Sequence, residues 1–249
     1  MDWTDDGIVL SARKHGESAA IVMLLTRLHG RHAGLVRGGS GRRARGVYEP
    51  GNRVHSAWRA RLPEHLGTYT CELVHSFAAA VLDDPLRLAA LSAACALAEA
   101  ALPEREPHEA VFQGLLALLS ALESPAANAA GALSWPPTYV RWELMLLKEL
   151  GFGLDLSCCA ATGASDGLAY VSPKSGRAVS SSAGAPYRDR LLPLPEFLAG
   201  KEAALREARP AAEIHRGLEL TGYFLERHVF DPRDRPIPAA RTRLVEGFR

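Results

Sequence analysis

Nine arginines stand between residues 27 and 61: Arg27, Arg31, Arg37, Arg42, Arg43, Arg45, Arg53, Arg59 and Arg61. Glu49 is the only acid in that window, which therefore carries a formal charge of +8. Even spreading of the chain's arginines and acids would put about 3.5 and 4 there, so general arginine richness does not account for it. The chemistry this suits is neutralisation of phosphates, since guanidinium groups are permanently charged and present several donors. In the run 53–62, period-two alternation puts Val54, Trp58 and Leu62 on one face and Arg53, His55, Arg59 and Arg61 on the other. Beside it, the glycine-rich stretch Gly38 to Gly46 carries Arg42, Arg43 and Arg45 and is expected to be a mobile loop. A basic face with a basic loop is the footprint of a nucleic-acid binder, although an acidic protein would meet the same face. Trp58 falls on the core side; Tyr48, beside the basic loop, and Tyr69 are rings that could be exposed for bases to stack on, with no specific signal in either.

Other chemistries find little support. No G-x-x-x-x-G-K-[ST] occurs, and Gly39, Gly41 and Ala44 match a dinucleotide fingerprint poorly. G-x-S-x-G fails because Arg42 stands where its last glycine should be, and there is no H-E-x-x-H. A hydrolase would need a site assembled from residues distant in sequence, so no catalytic residue is assigned. Cys158-Cys159 followed by Thr162-Gly163 is half of a zinc knuckle at most, with no histidine between His108 and His215. No metal site or cofactor is expected.

The elements that must position the arginines follow from patterning. The chain has 249 residues, 47% hydrophobic and 23% charged, with a net charge of +1. Short apolar runs at 7–12, 19–25, 31–37, 53–62 and 68–77, broken by glycine and proline, predict a small barrel such as an OB-fold over residues 1–79. From Asp83 the period becomes helical. Asp83-Asp84-Pro85 starts a first helix, and others are expected over 108–122, 138–150, 194–207 and 211–229, with a short one at the end. Residues 124–131 read as a loop. Residues 155–186 are turn-rich, an insert within a helical domain spanning 80–249. The longest uncharged apolar run, Leu88 to Ala98, is too short to cross a bilayer, which takes about 20 residues. The acidic N-terminus has no secretory pattern and the four cysteines make no disulfide framework, so a reduced, cytoplasmic protein with no membrane partner is expected.

With these residues in view, the chain resembles the bacterial RecO family of recombination mediator and DNA repair proteins. The resemblance runs from Gly7-Ile8-Val9-Leu10 through Arg31 to Gly39, Tyr48-Glu49-Pro50-Gly51-Asn52 and Arg141-Trp142-Glu143-Leu144. Its most specific segments are Leu150-Gly151-Phe152-Gly153-Leu154-Asp155-Leu156, Cys159-Ala160-Ala161-Thr162-Gly163 and Leu168 to Gly176, in this order and spacing. It implies an α+β, multi-domain chain: an OB-fold, then a helical domain with a zinc-finger-like insert. Where such inserts hold zinc they carry two C-x-x-C pairs. Here Cys159 remains, but Thr162, Ser180 and Ala183 stand at the other positions, which implies an insert lacking zinc ligands.

The resemblance also implies non-enzymatic binding of single- and double-stranded DNA, annealing of complementary strands, and a nucleoid-associated location. RecR would be a partner, and RecA would be loaded onto strands covered by single-stranded DNA-binding protein. The phosphate-neutralising set would be Arg31, Arg37, Arg42, Arg43, Arg45, Arg53, Arg59 and Arg61. Five such contacts to a single strand would give log K against log salt a slope of roughly −3.5. The C-terminal tail of single-stranded DNA-binding protein needs a cation for its carboxylate. Arg141, placed just ahead of the Trp142-Glu143-Leu144 helix, is the candidate, with a plain surface charge as the alternative.

Overall fold

One strand of 14 residues, β1 (Asp2–His15), takes part in two pairings and so organises the first part of the chain. The computed structural model describes residues 1–124, 135–200 and 210–249. After β1 come β2 (Ala19–Thr26), β3 (Gly30–Val36), a one-turn helix α1 (Arg42–Arg45), β4 (Arg53–Arg59) and β5 (Thr68–His75). They close into a barrel in the order β1-β2-β3-β5-β4. The first half of β1 pairs with β4 and its second half with β2, and a register shift between Val9 and Ser11 lets one strand serve both. All pairs are antiparallel except β3 and β5, which meet in parallel at Leu35 and Thr68.

Alternation fills the barrel. Val9, Val22, Leu24, Val36, Val54, Trp58 and Tyr69 form its core, while Arg31, Ala33 and Leu35 of β3 turn outward. Trp58 is buried, as alternation predicts, and its indole N–H donates to Leu66 O at 3.0 Å. Two expectations are corrected. Tyr69 is the direct cross-strand partner of Trp58 and therefore points inward with it, and Tyr48 packs into the same core, so neither ring is exposed. Leu62 is exposed because β4 ends at Arg59 and the alternation stops there. Gly34 opposes Tyr69 so closely that a Cβ there would stand 2.3 Å from the ring.

Contacts group residues 1–130 with 238–244 as one unit and 131–237 with 245–249 as another. The first unit therefore includes α2 (Phe77–Ala80), α3 (Pro85–Ala101) and α4 (Glu109–Glu123). Asp84 caps α3 through Leu86 N and Arg87 N, with Pro85 in the first turn, as the sequence signals. Buried Ala90, Ala93, Ala94, Ala98 and Ala101 keep α3 slim, and it packs on β1 and β2.

In the second unit α5 (Trp135–Glu149) begins three residues earlier than expected, since Pro136 and Pro137 fall in a first turn whose N–H groups lack helical partners anyway. Gly151 follows with φ +88°, and Phe152 N donates to Leu147 O at 2.8 Å while its ring stacks on His228. β6 (Leu168–Val171), β7 (Ala178–Ser180) and β8 (Leu192–Pro193) form a small sheet in the order β7-β6-β8, with α6 (Ser181–Gly184) following β7. The helix expected from Leu194 is not formed over 194–200. Pro193 and Pro195 restrict the backbone there, and the chain makes one 3-10 turn, Glu196–Ala199, ending at left-handed Gly200. The rest of that expectation, 201–207, and all but Ser124 of the loop expected over 124–131 lie outside the described residues. α7 (Pro210–Leu225) runs on as a π-helical turn, Glu226–Phe230, and α8 (Ala239–Glu246) closes the chain. No described helix is long and apolar enough to cross a membrane.

Candidate nucleic-acid interface

The arginines of the basic window fall into two groups. Four are held locally. Arg27 donates to Glu109 from Nε at 2.9 Å and Nη2 at 2.6 Å. Arg31, with its side chain 15% exposed, gives Nε to Leu102 O at 2.9 Å and lies 3.4 Å from Glu104. Arg53 meets Asp6 at 2.6 Å, and Arg59 meets Asp2 at 3.5 Å. The cause is register. Asp2 pairs with Arg59 and Asp6 with His55, which sets the acids of β1 beside the outward face of β4. Those acids lie outside the window of residues 27–61, so its charge overstated the charge of the folded face.

The second group is Arg37, Arg42, Arg45 and Arg61. All four are exposed, and none has an acidic partner within 4.0 Å among the described residues. Arg37 follows β3 directly, and Arg42 and Arg45 stand on α1, as does Arg43. The stretch expected to be a mobile loop is a turn and a short helix tied at several points. Ser40 N donates to Ser18 O at 3.0 Å, Arg45 Nε to Ser40 O at 3.2 Å, and Asn52 Nδ2 to Gly46 O at 2.8 Å. Asn52, which anchors it, is fully buried; the sequence marked it only as part of the Tyr48 to Asn52 segment, with no role assigned.

Lys14 joins this group through the sheet. It pairs with Ala20, and Ala20 with Val36, so the end of β1 and the end of β3 from which Arg37 departs lie at the same end of the barrel, separated by β2. A cleft of about 280 Å³ opens here, lined among others by Lys14, Ser40, Arg45, Tyr48, Glu49 and Pro50. Arg61 lies in the β4–β5 connection, off the strand on which it was expected. Arg105 grips that connection: Nη1 donates to Pro63 O at 2.6 Å, and Nη2 to Glu64 O at 3.1 Å and His65 O at 3.0 Å. Nothing in the sequence spacing pointed to Arg105.

In the second unit Arg141 lies inside α5, as the expected helix over 138–150 implies, half-buried, with its guanidinium carbon 5.7 Å from the centroid of Phe197. Glu143, fully buried, accepts from Thr221 Oγ1 between α5 and α7, a structural role for a carboxylate. Cys159 and Ser180, which the family resemblance puts at equivalent positions, come together: Ser180 N donates to Cys159 Sγ at 3.2 Å, and Ala183 N to Ser180 Oγ at 3.4 Å. Bonds from Ser180 and Thr162 hold the Cys159 thiol down to about 6. One sulfur among hydroxyls does not fit zinc, and the described residues contain no group of three or more metal-ligating side chains.

Two family models cover the chain, Recombination protein O N terminal over residues 1–77 and Recombination protein O C terminal over residues 82–235. The chain is similar to the DNA repair protein RecO of Rhodospirillum centenum, with 60% identity covering 100% of this chain and 95% of the relative. The RecO proteins of Rhodospirillum rubrum and Caulobacter vibrioides are 52% and 50% identical, covering 100% and 99% of this chain and 97% of each relative. Likeness at this level, over both units and nearly the full length of each relative, makes the chain a member of the RecO family of DNA repair proteins, which are non-enzymatic recombination mediators.

Proposed function

We propose that residues 1–79 form an OB-fold that binds single- and double-stranded DNA and anneals complementary strands, and that residues 80–249 serve chiefly to meet protein partners. The observation that carries this reading is the cluster of Arg37, Arg42 and Arg45 at one end of a closed barrel, exposed and without acidic partners among the described residues. The closed order β1-β2-β3-β5-β4 suits a fold that presents loops and an outer face to nucleic acid. Arg43 and Arg61 complete the primary set. Arg31, Arg53 and Arg59 are secondary, because each would have to leave a local partner first. Phosphate contacts carry no base information, so binding is sequence-independent. Bringing two strands to one cationic surface lowers their mutual repulsion, which accounts for annealing without nucleotide hydrolysis.

In the same reading RecR is a partner, RecA is loaded indirectly, and the apolar, acidic tail of single-stranded DNA-binding protein docks beside Arg141. Support for the last point is local: the half-buried Arg141 holds its guanidinium over the buried Phe197 ring, which fixes the position of the cation. The insert, with its small sheet and single buried sulfur, is a zinc-finger-like module held by hydrogen bonds.

Anisotropy of a fluorescent single-stranded oligonucleotide, titrated across salt with wild type and with Arg42→Ala/Arg43→Ala/Arg45→Ala, tests the reading, with strand annealing measured alongside. Five phosphate contacts predict a slope of about −3.5 for wild type and about −1.4 for the triple variant, which keeps Arg37 and Arg61. A wild-type slope near zero, or a folded triple variant equal to wild type in both assays, overturns it. Tight salt-dependent binding to an acidic protein instead would favour an adaptor.

A further inference from the structure

The cleft at the Lys14 end of the barrel carries two cations supplied by different segments, Lys14 from β1 and Arg45 from α1. The sheet register fixes the first and the bond from Arg45 Nε to Ser40 O steadies the second. Glu49 is the one acid in the lining, so the cleft has a net formal charge of +1. Ala12, Ala20, Pro50 and the buried Tyr48 supply apolar wall.

We propose that this cleft seats one phosphodiester linkage of a nucleic-acid strand, with Lys14 and Arg45 on its oxygens and the Tyr48–Pro50 side receiving the sugar. The proposal rests on the nucleic-acid reading and adds to it the point where a strand crosses the barrel end. Charge argues for a diester. A linkage bearing one negative charge balances two cations and a carboxylate, whereas a free phosphate dianion would be left under-neutralised beside Glu49. The division of labour fits the two side chains: the Arg45 fork gives direction, and the Lys14 ammonium on its flexible stem acts as a point charge.

Lys14→Ala and Glu49→Gln test this by anisotropy with an oligothymidylate across salt. Both side chains are exposed, so both variants should keep the wild-type melting temperature. Loss of one contact to a single strand predicts for Lys14→Ala a slope shallower by about 0.7 and affinity reduced about 3- to 10-fold at low salt. Removing the opposing carboxylate predicts for Glu49→Gln an affinity raised roughly two-fold. If wild type shows a steep slope while both variants match it, the cleft is off the strand's path and the proposal fails although the wider reading stands. If wild type lacks salt-dependent binding, both fail. Binding of anionic phospholipid vesicles in preference to the oligonucleotide, lost in Lys14→Ala, would reassign the cleft to a lipid headgroup and overturn the proposal.

Discussion

Arg53 Nη2 and Asp6 Oδ2 stand 2.6 Å apart across the outer face of β1 and β4, and the other oxygen of the same carboxylate lies 3.4 Å from His55 Nδ1. The Arg53 hydrogen bond, more than any other contact, holds the Asp6 carboxyl below its ordinary range. Asp2 and Arg59 repeat the arrangement near the other end of the strand pair. A strand that reads as uniformly basic is thus one rail of a mixed-charge ladder. A phosphate arriving there competes with carboxylates already in place, which is why the barrel end and not this face leads the proposed interface.

Arg53→Ala should therefore leave affinity for single-stranded DNA within about two-fold of wild type, while loss of the half-exposed pair lowers stability by less than about 1 kcal/mol. Anisotropy and urea denaturation read the two effects. A drop in affinity as large as that of the triple α1 variant would place the strand path on β4 instead.

Arg105 adopts φ +61° while its guanidinium serves three carbonyls of the β4–β5 connection. Arg105→Ala should cost about 1–2 kcal/mol, because the bonds are charge-assisted but exposed. Arg105→Gly loses the same bonds yet takes the left-handed backbone without strain, so it should be the milder change by up to about 1 kcal/mol. Equal losses in urea denaturation would mean the backbone there is unstrained, and no loss in either would mean the grip is not maintained in solution.

His32 sits among the core rings of the barrel, edge-on to Trp58, and burial pushes its imidazole from 6.5 down to about 4. The unfolded chain takes up this proton near 6.5 and the folded chain only near 4. Stability from the neutral ring is therefore complete above about 6.5 and is lost as pH falls toward 4. The urea midpoint should decline over that range, and His32→Phe, which keeps a ring in place, should flatten the decline. An identical pH profile in the variant would show that other groups carry the effect.

Local patterns in the sequence reached as far as single elements do. Asp84-Pro85 announces the start of α3 because cap and ring act within one turn, and Gly151-Phe152 announces the end of α5 for the same reason. Trp58 follows from alternation inside one strand. What needs pairing between strands was out of reach. The neutralising role of Asp2 and Asp6 depends on β1 lying beside β4 in one register, and the inward turn of Tyr69 depends on its being opposite Trp58. Arg105 could not be foreseen either, since its partners are backbone carbonyls that carry no side-chain signature. Leu194 to Ala199 misled for the opposite reason: its composition suits a helix, but two nearby prolines and the pairing of β8 with β6 decide the backbone.

The barrel is a ring with a clasp. Four of its seams run over seven or eight residue pairs each, whereas β3 and β5 touch at one, supplemented by Leu35 N on Gly67 O and Tyr69 OH on His32 O. Partial opening follows the line with least to break, so the ring breathes there first. That line runs between the end of β3, from which Arg37 departs, and the start of β5, which the Arg61 connection enters. The spacing between these two cations is accordingly the most adjustable dimension of the barrel's charged surface, a compliance suited to a backbone whose phosphates are not all equally far apart.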